Sequence, residues 1–388
     1  MFSLDNFYDI VYSNLLAQHR LQMYYFTNFD LASTSFNDCY GKYGDLDLHN
    51  FVFFYDQEPL HSFIFDKSTQ DLTEMQSTKL VKILANSEHS DIKQSIIKEY
   101  GFLDWYYFFH GFAALEWYRD YQYYPQVETQ FSKVFISLNH LTTKDRSYRL
   151  NLVANYIESD ILSQGLVSLH FTDTSIKQEV FNKSSKLSLS AKKLVVKNLL
   201  PLKTALTVDT ATPHGNMSAK LNLALETSAL WHVVSETIFY DKRLHLTEKI
   251  FKPIVARRPF ILAAAPGNLA YLKQYGFRTF DQWIDESYDL ETDPDRRIQM
   301  ITHELARLCA LSQNQLNDMY KEMQETLEYN FDHFYGNFKT IIVEELVDNF
   351  ANVLVQLNNG RSNNHSPFNQ RFDIDRARLE QVKQRLIK

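Results

Sequence analysis

Residues 230–265 read LWHVVSETIFYDKRLHLTEKIFKPIVARRPFILAAA, and the fold is clearest in this stretch. Its two apolar ends, residues 230–234 and 259–265, are short runs of the kind that form buried strands. Thr247 stands between them as a good helix N-cap, and Glu248 follows in the first turn, where a carboxylate suits the positive helix end. A strand, a helix and a second strand at this spacing predict a parallel βαβ unit.

The same alternation of apolar runs and helical patterns continues on both sides of this unit. Strands are predicted at residues 50–55, 133–138 and 166–171, helices at 72–85, 148–163 and 306–357, a core helix at 105–124, and a final amphipathic helix after a loose polar tail from residue 358. We therefore expect an α/β protein.

The length of 388 residues fits two domains of about 150–200 residues each. Hydrophobic residues make up 45 % of the chain, which is enough for a full core in each domain. With a polar linker at residues 125–130, we predict a first domain of residues 1–128 and a second of residues 129–345. A C-terminal helix and polar tail, residues 346–388, would complete the chain.

Charge and cysteine content narrow the function classes. The net charge of −7 weighs against a dedicated nucleic-acid binder, which usually carries a basic face. Two distant cysteines, Cys39 and Cys309, make neither a disulfide framework nor a zinc site, so we expect a cytoplasmic protein. Acidic residues interrupt the N-terminal apolar stretch, and no window reaches the roughly 18 apolar residues of a membrane helix. We predict no signal peptide and no membrane span.

The segment after the strand at residues 230–234 carries the densest chemistry. It lies at the carboxyl end of a strand, where open α/β sheets bind ligands. Free N–H groups at a helix start favour an anion, and Lys249 with Arg243 upstream would neutralise a diphosphate. Glu248 could accept both hydroxyls of a ribose. The alternative is an ordinary helix start with a solvated basic surface.

Two stretches, VFISLNHLTTKDRSYRL at residues 134–150 and TEKIFKPIVARRPFIL at residues 247–262, resemble the donor domain of the α1,3-fucosyltransferase family. The chain through residue 289, with its early YDQEP at residues 55–59, is also similar to glycosyltransferase-like proteins of bacteriophages and marine viruses. The resemblance implies two facing Rossmann-like domains of the GT-B type with a long C-terminal helix. Residues 1–128 would form the acceptor side, and residues 129–345 would bind the nucleotide diphosphate sugar as co-substrate.

In that family an Asn follows a strand, an Arg comes seven residues later, and Thr/Ser-Glu-Lys opens a helix. Asn139 and Arg146 have the first spacing, and Thr247, Glu248 and Lys249 match the second motif. The resemblance implies that Arg146 and Lys249 hold the diphosphate and that Glu248 holds the nucleoside ribose.

Two further positions of the second domain belong to the predicted donor site. Glu236 would bind a donor sugar hydroxyl, or equally cap its strand end. Gly267 would let the backbone approach the sugar. Pro253 is expected to kink the helix that follows Thr247.

The catalytic base is predicted in the first domain. Asp56 and Glu58 follow a strand, and an inverting transferase needs one carboxylate to take the acceptor hydroxyl's proton. Ordinary turn chemistry is the even alternative. His110 is a third candidate that we interpret as a hydrogen-bonded core residue, and we expect Glu286 and Asp289 to be surface residues.

Acidic triplets at residues 45–47, 293–295 and 373–375 do not follow apolar strands cleanly, and we predict no required metal. The predicted reaction is glycosyl transfer from a nucleotide diphosphate sugar to a hydroxyl of a glycan. One alternative is a viral DNA glycosyltransferase that acts on hydroxymethylated pyrimidine bases in the host cytoplasm. Another is a non-catalytic nucleotide- or sugar-binding protein of the same fold.

Overall fold

The computed structural model describes residues 4–19, 21–25, 50–60, 81–120, 128–202, 205–208, 219, 221–361 and 374–387. The chain divides into two compact units, residues 1–116 with 337–388 and residues 117–336. The division falls shortly before the boundaries predicted at residues 128 and 345. Each unit contains a parallel sheet covered by helices, so the predicted α/β class is confirmed.

The sheet of the first unit has four strands in the described residues, and neighbouring strands are parallel. In space they follow their order in the chain: β1 (Gln22–Tyr25), β2 (Asn50–Tyr55), β3 (Val81–Asn86) and β4 (Leu103–Tyr106). The helices of this unit are α1 (Leu4–Val11), α2 (Asp91–Tyr100), α3 (Phe109–Leu115), α13 (Phe338–Arg361) and α14 (Arg376–Ile387). A two-residue extended segment, His89–Ser90, precedes α2.

The long C-terminal helix α13 packs against β4, which explains why the end of the chain belongs to the first unit. The Trp105 ring is fully buried, and its Nε1 donates a hydrogen bond of 3.0 Å to the Leu346 carbonyl. The same ring lies 4.8 Å from that of Phe350, and the Asn349 amide donates to the Tyr106 carbonyl over 2.9 Å. Burial of these aromatic rings holds the long helix against the sheet.

Among its described residues the sheet of the second unit also has four parallel strands, but their order in space differs from their order in the chain. The strands are β5 (Lys133–Asn139), β6 (Gly165–Leu169), β7 (Ala229–Ser235) and β8 (Phe260–Ala263), and their spatial order is β8-β7-β5-β6. The helices are α4 (Tyr148–Glu158), α5 (Asp173–Phe181), α6 (Leu189–Leu199), α7 (Leu223–Thr227), α8 (Phe251–Val255), α9 (Asn268–Gln274), α10 (Pro294–Cys309), α11 (Gln313–Glu322) and α12 (Gln324–Tyr335).

This order creates a switch point between β5 and β7. The chain leaves β5 for β6 on one side, then crosses back and continues through β7 to β8 on the other side. Phe135 is paired with Trp231 and Ile136 with His232, so β5 and β7 lie side by side at this reversal. In open α/β sheets, ligands bind outside the carboxyl ends of the strands at such a reversal.

Several predicted elements need correction. Residues 81–86 form β3 rather than part of a helix, while residues 72–80 and 121–127 lie outside the described ranges. The aromatic stretch divides into β4 and α3, because Leu103–Tyr106 pairs with β3. The predicted long helix is four helices, α10 to α13, and α13 continues to Arg361 past the predicted start of the loose tail. The final helix, α14, is confirmed.

Candidate functional site

At the carboxyl end of β7, the Glu236 carboxylate holds the start of the next helical segment. This side chain is fully buried. Its Oε1 accepts a hydrogen bond from the Thr247 backbone N–H over 3.1 Å, and its Oε2 accepts one from the Thr247 hydroxyl over 2.6 Å. Charge-assisted bonds of this length are the strong class of hydrogen bonds. Glu236 therefore fixes Thr247 at the switch point, and its two predicted roles stay predictions.

Thr247 also contacts Lys249, which in turn lies beside Glu248. Its hydroxyl oxygen accepts a bond of 3.1 Å from the Lys249 ammonium, which also lies 3.2 Å from Glu248 Oε1. Glu248 and Thr247 are buried, whereas the Lys249 side chain is 31 % exposed. The three residues of the predicted motif thus form one contiguous array, in which Lys249 is the member that solvent reaches.

The segment after Thr247 starts as a 3-10 turn, Glu248–Ile250, and continues as α8. Pro253 is the third residue of α8, in its first turn. Because the 3-10 turn runs directly into α8, Pro253 is the sixth residue of the helical segment that Thr247 opens, and the kink expected there stays a prediction.

The loop after β5 lies against the loop after β7. The Arg149 guanidinium is buried and donates to the Leu141 carbonyl over 2.9 Å and to the Ser235 and Glu236 carbonyls over 2.7 and 3.1 Å. Tyr148 donates to the Glu236 carbonyl over 2.6 Å. These bonds join the ends of the two strands that flank the switch point.

Asn139 and Arg146, the two residues predicted in this loop, differ in environment. Asn139 ends β5 fully buried, and its amide group donates to Ser137 and to the Ser168 carbonyl over 3.1–3.3 Å. Arg146 is half-buried in a 3-10 turn, Lys144–Arg146, which leads directly into α4. Of these two residues, the structure leaves Arg146 with the surface that a ligand needs.

Arg243 and Gly267 are brought together by Asn268. Its side-chain amide donates to the carbonyls of Arg243 and Ala265 over 2.9 and 2.7 Å, and its Oδ1 accepts from the His245 backbone N–H over 3.0 Å. Gly267 has φ +86°, a left-handed conformation that favours glycine. The turn after β8 and the segment carrying Arg243 are therefore tied to one another.

The expectation that Glu286 and Asp289 are surface residues is wrong. Glu286 accepts hydrogen bonds of 2.7 Å from the Thr279 hydroxyl and from the Phe280 N–H. Asp289 is buried and accepts from the Leu269 N–H at the start of α9 over 3.1 Å. Burial raises the pKa of both carboxyl groups above their usual range.

In the first unit, Asp56 lies at the carboxyl end of β2 and is almost completely buried. The Tyr8 hydroxyl donates to it over 2.9 Å, the Tyr107 hydroxyl also donates to it, and Gln57 donates to Tyr8 over 3.0 Å. Burial raises the pKa of Asp56 to about 6, although the two phenol hydrogen bonds pull it down. Glu58 is half-buried in the same turn.

Sequence reasoning missed the polar residues whose partners lie far along the chain: Tyr8, Tyr107, Tyr148, Arg149 and Lys186. His110 is buried, consistent with its interpretation as a core residue. Within the described ranges no helix is both long and apolar enough to span a bilayer, and no group of three or more His, Cys, Asp or Glu residues is arranged to hold a metal ion. The acidic triplet at residues 45–47 and residue 373 of another lie outside those ranges.

Comparisons of this chain with protein-family models, with curated proteins and with solved structures found no match.

Proposed function

We propose that this chain is a glycosyltransferase of the GT-B type that uses a nucleotide diphosphate sugar and transfers the glycosyl unit to a hydroxyl acceptor. The observation that carries the proposal is the array of Glu236, Thr247, Glu248 and Lys249 at the switch point of the second sheet. A switch point is where doubly wound sheets bind nucleotides. The likeness of residues 134–150 and 247–262 to fucosyltransferase donor domains supports the same assignment.

The charges at this edge suit a leaving diphosphate. Lys249 is partly exposed and Arg146 is half-buried on the neighbouring loop, whereas Arg243, four residues before Thr247, is buried. When the bond between the sugar and the phosphate breaks, the nucleoside diphosphate gains negative charge, which nearby cations stabilise. In the proposal, Arg146 and Lys249 bind the diphosphate, and Glu248 accepts hydrogen bonds from the ribose.

Asp56 is the better of the two proposed bases. In an inverting transfer the acceptor oxygen attacks the anomeric carbon, its proton passes to a carboxylate, and the nucleoside diphosphate leaves. A general base is most effective when its pKa lies near the working pH. Burial raises the pKa of Asp56 to about 6, and buried carboxyl groups with such shifts are candidates for catalysis. We further propose a cytoplasmic location, from the scarcity of cysteine.

The first experiment is a thermal-shift screen of the intact protein against UDP, GDP, ADP, CMP and dTDP, with and without magnesium. A ligand present at 100 times its Kd stabilises the native state by about 2.7 kcal/mol. We expect one diphosphate to raise Tm clearly. If none does, the proposed donor site is wrong.

Calorimetry with the active diphosphate then tests the residues. Lys249→Ala and Arg146→Ala should each weaken binding by about tenfold, because each removes a charge that faces the diphosphate. The matched control is Lys321→Ala in the same unit, because the Lys321 side chain is 74 % exposed and its ammonium lies 3.1 Å from the surface residue Asp318. Equal affinity for all four proteins would contradict the assignment of Arg146 and Lys249.

Catalysis is tested separately from binding. Asp56→Asn should abolish donor hydrolysis and transfer while leaving the Kd for the diphosphate unchanged. Donor binding by the wild type with no turnover, and no effect of Asp56→Asn, would instead identify a binding protein of this fold.

A further inference from the structure

Lys186 connects the two loops that flank the switch point. It lies in the segment between α5 and α6, and its ammonium group is 2.9 Å from Asp145 Oδ1 and 2.9 Å from Asp241 Oδ2. Asp145 follows β5 and directly precedes Arg146, and Asp241 follows β7 and stands two residues before Arg243. One cation therefore joins two carboxylates from separate loops, one of which directly precedes the proposed diphosphate ligand Arg146.

Aromatic contacts extend this connection. The Lys186 ammonium lies 5.4 Å from the centre of the Tyr240 ring, within the range of a cation–π interaction. The Tyr240 hydroxyl is 3.0 Å from the Ser147 hydroxyl on the loop after β5. Burial lowers the pKa of Lys186, but its hydrogen bonds to Asp241 and Asp145 outweigh this and raise that pKa, so the amine is charged at neutral pH.

The same two loops contain strained backbone. Lys144 and Asp241 have φ values of 56° and 65°, in the left-handed region that residues other than glycine rarely adopt. Such residues persist only where their surroundings hold them, and they concentrate at functional sites. Lys186 binds Asp241 itself and the residue after Lys144, so it contacts both strained turns.

The contacts of Lys186 with Asp145 and Asp241 change the net charge near the proposed donor site. Without Lys186, Asp145 and Asp241 would lose the cation that contacts both of them, and the added negative charge near Arg146 would weaken the attraction of an anionic ligand. We propose that Lys186 is a positioning residue of the donor site: it neutralises Asp145 and Asp241 and thereby keeps the switch-point edge attractive to the diphosphate of the donor. This inference rests on the proposed function and adds a residue outside the resemblance motifs.

The test measures the Kd of the active nucleoside diphosphate by calorimetry at low and high salt. Lys186→Ala should weaken binding about five- to tenfold at low salt, and the difference should shrink near 1 M salt, because exposed charges are then screened. Lys186→Arg should restore binding. The triple variant Lys186→Ala, Asp145→Asn, Asp241→Asn should also bind like the wild type, since asparagine carries no charge and tolerates a left-handed conformation.

The matched control is Lys197→Ala. Lys197 lies on α6 and pairs with Glu158 over 2.7 Å, at the opposite end of α4 from Arg146. This substitution removes an equivalent surface ion pair and should leave the Kd unchanged. Thermal unfolding of each variant is measured in parallel, so that a folding defect is recognised by a lowered Tm.

The outcomes separate this inference from the proposed function. If the wild type binds a diphosphate and Lys186→Ala binds it equally well, the role of Lys186 is overturned while the donor site stands. If Lys186→Ala weakens binding equally at both salt concentrations and the triple variant does not restore it, Lys186 only orders the loops, and charge neutralisation is wrong. If the wild type binds none of the nucleotides, both proposals fail.

Discussion

A buried carboxylate lies at the carboxyl edge of each sheet, but the hydrogen-bond partners of the two carboxylates differ. At the end of β2, Asp56 is enclosed by the phenol groups of Tyr8 and Tyr107, and burial raises its pKa to about 6. At the end of β7, Glu236 accepts hydrogen bonds from Thr247, a residue of its own connecting loop. The first carboxylate is held between aromatic side chains, and the second holds the backbone of a loop that carries cations.

The difference follows from strand order. In the described part of the first sheet, the strands lie in chain order and no reversal occurs. In the second sheet the reversal separates the loops after β5 and β7, which leave in different directions and need side chains to join them. Arg149, Tyr148 and Lys186 supply those connections. The second edge is therefore held together by side chains that connect two separate loops.

Substitution of Arg149 should cause the largest loss of stability if the second edge depends on the hydrogen bonds that connect its loops. Arg149→Met keeps an apolar stem but leaves the buried Ser235 carbonyl, and the carbonyl of the exposed residue Leu141, without the donor that now reaches them. An unsatisfied buried carbonyl costs about 1–3 kcal/mol, so we expect a loss of about 3 kcal/mol in the free energy of unfolding. Urea unfolding at pH 7 measures it.

The control for this substitution is Arg296→Met. The Arg296 side chain is 72 % exposed and pairs with Glu291 over 3.0 Å, so its removal should change stability by under about 0.5 kcal/mol. Similar losses for Arg149→Met and Arg296→Met would mean that the ties across the switch point contribute little.

Asp56, at the first edge, should make the stability of the protein depend on pH. Because the pKa of Asp56 is raised from 3.8 to about 6, the folded protein binds a proton there that the unfolded chain releases near pH 4. This contribution to stability is complete below pH 4 and is lost as the pH rises through 6. The wild type should thus lose about 2–3 kcal/mol between pH 4 and 7 relative to Asp56→Asn, which has no such group.

Denaturant unfolding at intervals from pH 4 to 8 gives the difference between the two curves. Glu58→Gln, a change of the same chemistry in the same turn, provides the control. If the Asp56→Asn and wild-type curves run parallel, the enclosure of Asp56 does not raise its pKa, and the proposed base loses its physical support.

Much of this fold is predictable because strands buried on both faces give mainly apolar runs, as β5 and β7 do. The exception, β3, contains Lys82 and Asn86, which interrupt the apolar pattern. The Lys82 ammonium is nevertheless taken into the protein, where it donates to the Tyr100 carbonyl over 2.8 Å. Pairing with β2 and β4, which local spacing does not reveal, makes this segment a strand.

The residues of the candidate site likewise fall into those that a local motif predicts and those that it does not. Thr247, Glu248 and Lys249 are consecutive, so a local motif could name them. The partners of Arg149 and Lys186 lie 86 and 55 residues away in Ser235 and Asp241, and no local pattern signals such contacts. Roles assigned by the motif remain predictions, whereas the ties between loops emerge only from the three-dimensional structure.

The smallest expected loss of stability comes from removing the hydrogen bond between the Thr247 hydroxyl and Glu236. Thr247→Val keeps the shape of the side chain but removes the hydroxyl that donates to Glu236 over 2.6 Å. A hydrogen bond to a charged group contributes about 1.5–3 kcal/mol, and the remaining backbone bond to Glu236 places the expected loss of stability near 1.5 kcal/mol. Thr302→Val is the matched control, because Thr302 is equally buried and its hydroxyl has no hydrogen-bond partner among the described residues. That change should be neutral or stabilising, since valine removes an unsatisfied polar group. If the two variants unfold at the same urea concentration, Glu236 does not fix the start of the Thr247 segment, and the contrast between the two edges disappears.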